Sequence, residues 1–239
     1  MTDTIAGLFS LILQALISII VFKSLSDAWY ASNPDAIYQI LLIAGVLRIA
    51  WGLTETITEN FWTVGPFAKT GQLIFFIISP LPTLLHLLLH KVHYERLVDV
   101  AIGIAFIIFA YKNGVFEEFA FLDYVFLLLL GLLSAMVFFS VTLIGASSCI
   151  LWLSESSHLM TAAGQFAELG MYPARLFVRI IGETSLIVLP VFSVALFFDR
   201  LIFENYTLSS FALLVPLAFM ILAFGLWRYS ITNYQGTGS

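Results

Sequence analysis

Three stretches of this chain contain no Asp, Glu, Lys or Arg: residues 4–22, 124–154 and 205–227. Each is at or above the length that crosses a hydrocarbon core of about 30 Å. Inside that core every backbone N–H and C=O must be satisfied within its own segment, so runs of this kind become α-helices. Composition agrees. Of 239 residues, 61% are hydrophobic and 10% charged, with a mean hydropathy of +1.01, whereas a soluble domain carries about a quarter charged residues. The expected fold is all-α, a polytopic membrane helical bundle.

The first run is expected to be a retained span, 5–22. Its leading residues, Met1-Thr2-Asp3-Thr4, are acidic rather than basic, and no small-x-small cleavage site follows. A second span begins near Ala36 and meets no breaker until Gly65-Pro66. A helix of that length exceeds what the membrane requires, so its far end leaves the core as an amphipathic extension. There Leu53, Ile57 and Phe61 recur at i, i+4, i+8. The stretch Thr70–His90 is also free of charge, but Pro80 and Pro82 break it, because each removes a donor and clashes with the preceding turn. Leu81, Leu84, Leu85, Leu88, Leu89 and Val92 form an apolar arc, with His86, His90 and His93 on the opposite side. Residues 55–96 are therefore read as an interfacial connection folded along one membrane surface, with a seventh span as the alternative. Further spans are placed at 97–111, 124–152 and 209–227. Between the last two, hydropathy alone favours Gly182–Phe198, interrupted by Pro190, over the weakly apolar 155–170.

Charge placement orients the bundle. Lys69, Lys91, Arg96 and Arg228 share one side against Lys23, Lys112 and Arg200 on the other. The excess of Lys and Arg, four against three before Arg175 and Arg179 are placed, marks the cytosolic face, so both termini are expected in the cytosol. No basic patch points to nucleic acid. The single cysteine, Cys149, excludes an internal disulfide.

Ionisable groups at membrane depth line cavities or pair with one another. Arg48, Glu168 and Glu183 are such groups, and they are candidates for a translocation path or a subunit interface. His86, His90 and His93 stand at i, i+4, i+7, a spacing that can present imidazoles to one metal. The same spacing makes a polar interfacial face, which is the reading adopted, and no metal is assigned. No Ser-His-Asp or Cys-His arrangement is present, and no Gly-x-x-x-x-Gly-Lys-(Ser or Thr) phosphate loop occurs. The chain is not read as an enzyme.

In order along the chain come Thr54-Glu-Thr-Ile-Thr-Glu-Asn-Phe-Trp62, Gly71-Gln72-Leu73 followed by Pro80, Tyr172-Pro173, Leu189-Pro190, and a short tail with Tyr234 and small residues. This series resembles the ABC-2-type transporter permeases, in the branch of small six-span bacterial exporter subunits. The likeness runs from about residue 36 to the end. It departs from the family where Ile74 stands for the usual acidic residue and Ser79 for the usual arginine, and in starting almost inside the first span.

The resemblance implies six transmembrane helices, at 5–22, 36–54, 97–111, 124–152, 155–170 and 209–227. It makes 171–198 a re-entrant outer segment rather than a span. It further implies an exporter permease in the bacterial cytoplasmic (inner) membrane with no cofactor of its own, ATP and Mg being held by a separate cytosolic ABC-type ATPase. That ATPase would dock at Glu55, Glu59, Asn60, Phe61 and Trp62. A second permease subunit, identical or related, would complete the membrane part. The alternative is a secondary transporter or channel that works without an ATPase.

Overall fold

A computed structural model describes residues 36–114, 121–153, 157–170 and 209–234, with the stretch 16–24 and a few isolated positions elsewhere. The described residues are all-helical, without strands. Helix α1 (Ala36–Thr58) runs into a 3-10 turn, Glu59–Thr63, and then α2 (Val64–Lys69). Two short helices follow, α3 (Leu73–Ile77) and α4 (Thr83–His90), and then α5 (Leu97–Lys112). The remainder comprises α6 (Phe121–Leu153), α7 (Ser157–Leu169) and α8 (Ser209–Thr232).

Among the described residues, three helical stretches are long and apolar enough to cross a membrane: Ile37–Lys69, Leu128–Trp152 and Leu214–Thr232. Two further expected spans appear as shorter helices. α5 has 16 residues, about 24 Å, and α7 has 13, about 20 Å. The span 5–22 falls mostly outside the described residues, as does the re-entrant segment 171–198.

The passage from α1 to α2 follows from local chemistry. Thr56 and Thr58 donate their hydroxyls to the carbonyls of Gly52 and Thr54 at 2.7 and 2.8 Å. Threonine hydroxyls bonded back in this way compete with the helical ladder. The ladder tightens to 3-10 geometry at Glu59, and Pro66 then sits in the first turn of α2, where a missing N–H is harmless. The tightening alters the expected register. Phe61 turns into the core, whereas Ile57, expected on the same face, is 46% exposed.

α1 and α5 run antiparallel at glycine-only distance. A Cβ on Gly45 would lie 2.8 Å from the Gly103 carbonyl, and one on Gly103 would lie 2.6 Å from the Gly45 carbonyl. Small residues let membrane helices approach this closely. On its other face α1 packs Ile43, Leu47, Ala50 and Trp51 against Ala135, Phe138 and Phe139 of α6 and Ala167 of α7. Trp51 meets Phe139 edge-on at 4.9 Å. A second cluster gathers Phe61, Val64 and Ala68 with Ile144 and Ile150 of α6, Met160 of α7, and Ala223 and Trp227 of α8. Trp152 beside Tyr229 shows that α6 and α8 end together.

α3 and α4, of five and eight residues, lie across this end of the bundle. Leu73, Phe76 and Leu87 anchor them in the second cluster. Ile74, Phe75, Ile78, Leu81, Leu85 and Leu89 remain exposed. A surface helix presents such a face to the lipid boundary.

Candidate functional site

The turn 59–63 and the passage 91–96, which ends in a 3-10 turn over Tyr94–Arg96, are stitched together by side chains from both. Arg96 grips Glu59 with two parallel bonds, Nε to Oε2 at 2.9 Å and Nη2 to Oε1 at 3.0 Å. Its Nη1 lies 3.0 Å from Oε2 of Glu55. Burial opposes the positive charge of Arg96. The hydrogen bond to Glu59 and the charges of Glu55, Glu59 and Asp99 outweigh it and hold the guanidinium above its ordinary range. Asn60 donates Nδ2 to the Lys91 carbonyl at 2.7 Å, and the His93 amide donates to the Thr56 carbonyl at 3.0 Å.

His93 sits between these elements. Its Nδ1 is 3.2 Å from both Glu59 Oε2 and Glu95 Oε1, and its Nε2 is 3.4 Å from Asn60 Oδ1. The backbone N–H of Glu95 itself holds the Glu95 carboxylate below its usual value, against slight desolvation, and His93 adds to the effect. Glu59, His93 and Glu95 could together face one metal ion. Arg96 already takes both Glu59 oxygens, so a cation here would meet a guanidinium; the arrangement fits a salt-bridge latch better than a metal centre. His86 and His90 stand apart from it. Their rings pack on Phe76 at 4.7 and 5.1 Å. α4 ends at His90, and Lys91 is extended (φ −151, ψ 138), so His93 leaves the helical face that the spacing assigned to it.

The same turn touches the other helices. Phe61 stacks edge-on against Trp227 of α8 at 5.6 Å, and its carbonyl accepts from Ser147 Oγ of α6 at 3.3 Å. Trp62 lies on Gly164 of α7, where a Cβ would come within 2.7 Å of the indole. The Tyr234 hydroxyl, just beyond α8, donates to the Ala68 carbonyl at 2.9 Å. The turn is thus a hub joining α1, α6, α7 and α8 to the passage that leads into α5.

Of the residues expected to contact a partner, Glu55, Asn60 and Phe61 are 1%, 3% and 0% exposed. Glu59 and Trp62 are partly buried, and Ile57, Thr63, Pro66 and Lys69 are the exposed members of 55–69. Arg48 is buried in α1 and donates Nε to Asp99 Oδ1 of α5 at 2.9 Å. Glu168 is exposed on α7, close enough to Arg48 and Asp99 for their charges to act on it. Glu183 lies outside the described residues. Sequence reasoning missed the grip of Arg96 on Glu55 and Glu59, the seat of Trp62 on Gly164, and the pairing of Arg48 with Asp99. Only the last left a signal, an acid at the start of the span that follows the one carrying Arg48.

Residues 9–238 match the model of one protein family, described as ABC-2 family transporter protein. No curated protein and no solved structure matches the chain.

Proposed function

We propose, for a chain that belongs to the ABC-2 family of transporter proteins, that it is the membrane-spanning permease subunit of an exporter energised by a separate cytosolic ATPase. The observation that carries this reading is the family match across almost the entire chain, and the chain has no phosphate loop with which to bind ATP itself. ATP and Mg would belong to the partner. The ATPase docks at the end of the bundle formed by 55–69. Ile57, Thr63 and Pro66 face it, and Glu55, Glu59, Asn60, Phe61 and Trp62 form the seat behind them that passes motion to α6, α7 and α8. Both termini lie on the ATPase side, in a bacterial cytoplasmic membrane, and a second permease subunit, identical or related, completes the pathway. Glu168 and Glu183 belong to that pathway or to the contact between subunits, whereas Arg48 is tied to Asp99 within the bundle.

Purification of the tagged chain from its own membrane should bring down a phosphate-loop ATPase. The ATPase activity of the complex should fall severalfold with Ile57→Arg, which alters the exposed face and removes none of the hydrogen bonds of the buried seat. Proteoliposomes that contain this chain alone and transport without ATP would replace the reading with a secondary transporter or channel.

A further inference from the structure

α7 differs from its neighbours in what it leaves uncovered. Met160, Gly164 and Ala167 are its buried side. His158, Thr161, Gln165 and Glu168 follow at i, i+3, i+7, i+10, and all four are exposed. At 3.6 residues per turn they fall within roughly an 80° arc. Ala162, Phe166 and Leu169, also exposed, form a separate apolar arc beside it. The polar arc reaches membrane depth. Ala167 is packed with Ala135, Phe138 and Phe139 of α6, near the middle of the apolar stretch Leu128–Trp152. A carboxylate and a carboxamide at that depth do not face lipid; they face water or another polar surface.

Electrostatics selects what would meet this face. Arg48 and Asp99 lie behind Glu168 and neutralise each other through their 2.9 Å bond. Among the described residues Glu168 forms no ion pair of its own, on a helix whose polar arc otherwise carries hydrogen-bonding side chains.

We propose that the arc His158, Thr161, Gln165 and Glu168 lines a water-filled translocation path, and that Glu168 draws a cationic group of the cargo to it. The proposal rests on the permease reading, in that it places α7 within the membrane.

The test uses the full chain with its partners in native membranes, after Cys149→Ser removes the only thiol. Single cysteines are placed by His158→Cys, Thr161→Cys, Gln165→Cys and, on the apolar arc, Phe166→Cys. Each is reacted with two membrane-impermeant methanethiosulfonates, one carrying a trimethylammonium group and one a sulfonate, with rates corrected for reaction with a free thiol. The three arc positions should react at least tenfold faster than Phe166→Cys. At Gln165→Cys, one turn from Glu168, the cationic reagent should be favoured about tenfold, as expected for opposite unit charges about 6 Å from a carboxylate in water. Glu168→Gln should abolish the preference.

Arc positions as slow as Phe166→Cys would show a dry face and overturn the proposal. Phe166→Cys as fast as the arc would place α7 outside the membrane, with the same result. Absence of a charge preference at Gln165→Cys overturns the cation assignment even if Glu168→Gln does not fold. Failure to recover an ATPase would remove the ABC reading and leave this labelling pattern intact, so the two conclusions fall separately.

Discussion

The α1–α5 seam and the α7–α6 contact place charge in the same bundle in opposite ways. At the seam, glycines bring two backbones into contact, and the one arginine is tied at 2.9 Å to the one aspartate of that contact. On α7, alanine and glycine also permit close packing against α6 and Trp62, yet a carboxylate and a carboxamide remain on the open side. Charge sealed between glycine-packed helices holds the helices together. Charge left open beside them is free to meet something else. Burial, rather than the mere presence of an ionisable residue in a span, separates the two roles.

The contrast can be broken most sharply at Asp99. Asp99→Leu leaves Arg48 buried and unpaired, and should destabilise the protein by about 3–5 kcal/mol. The loss is read as the drop in thermal unfolding midpoint of the purified protein. Adding Arg48→Met should restore most of it; if the double variant is no better than the single, the pair is not the element that seals the seam. Next comes Gly103→Val, which drives a side chain into the Gly45 carbonyl and should cost about 1–3 kcal/mol, with reduced recovery from the membrane. A midpoint unchanged from wild type would mean that the helices do not cross at this distance. Smaller still is Tyr234→Phe, which removes the hydroxyl bond to Ala68 and should cost about 1 kcal/mol. Gln165→Ala, on the open arc, should shift stability by no more than about 0.5 kcal/mol while slowing transport; a large shift would place Gln165 on the sealed side of the comparison.

A last and slight effect concerns pH. The Glu95 carboxylate is held below its ordinary value, so its contribution is present above the usual carboxylate range, near about 4.3, and is lost as pH falls through the lowered value. With a side chain 51% exposed, the contribution is small because solvent screens it. The acid limb of an unfolding profile should be slightly shallower in Glu95→Gln.

Helices were legible wherever uncharged length decided the matter, as at 124–152 and 209–227, and the prolines at 80 and 82 announced the break between α3 and α4. The facing of the hub was not legible. The spacing of Leu53, Ile57 and Phe61 describes one face only if the helix stays regular, and the back-bonded hydroxyls of Thr56 and Thr58 accompany its tightening. The burial of Phe61 depends on Trp227, which no local pattern connects to it. Likewise, the even spacing of His86, His90 and His93 presumes a helix that ends at His90. By contrast, the polar arc of α7 was present in the sequence as a period of three and four, obscured because the segment is weakly apolar and shorter than a span. Local periodicity shows which residues share a face. Tertiary contacts decide whether that face is closed.

The pairing of Arg48 with Asp99 also bears on how the chain is made. α5 is short for a membrane helix and carries an acid near its start, so it enters lipid poorly alone. α1, with an arginine well inside its span, is similarly disfavoured. Together they cancel each other's charge and cover each other's exposed backbone at Gly45 and Gly103. Each helix is therefore expected to enter the bilayer more readily in the presence of the other, because ionisable groups at membrane depth are tolerated when they pair.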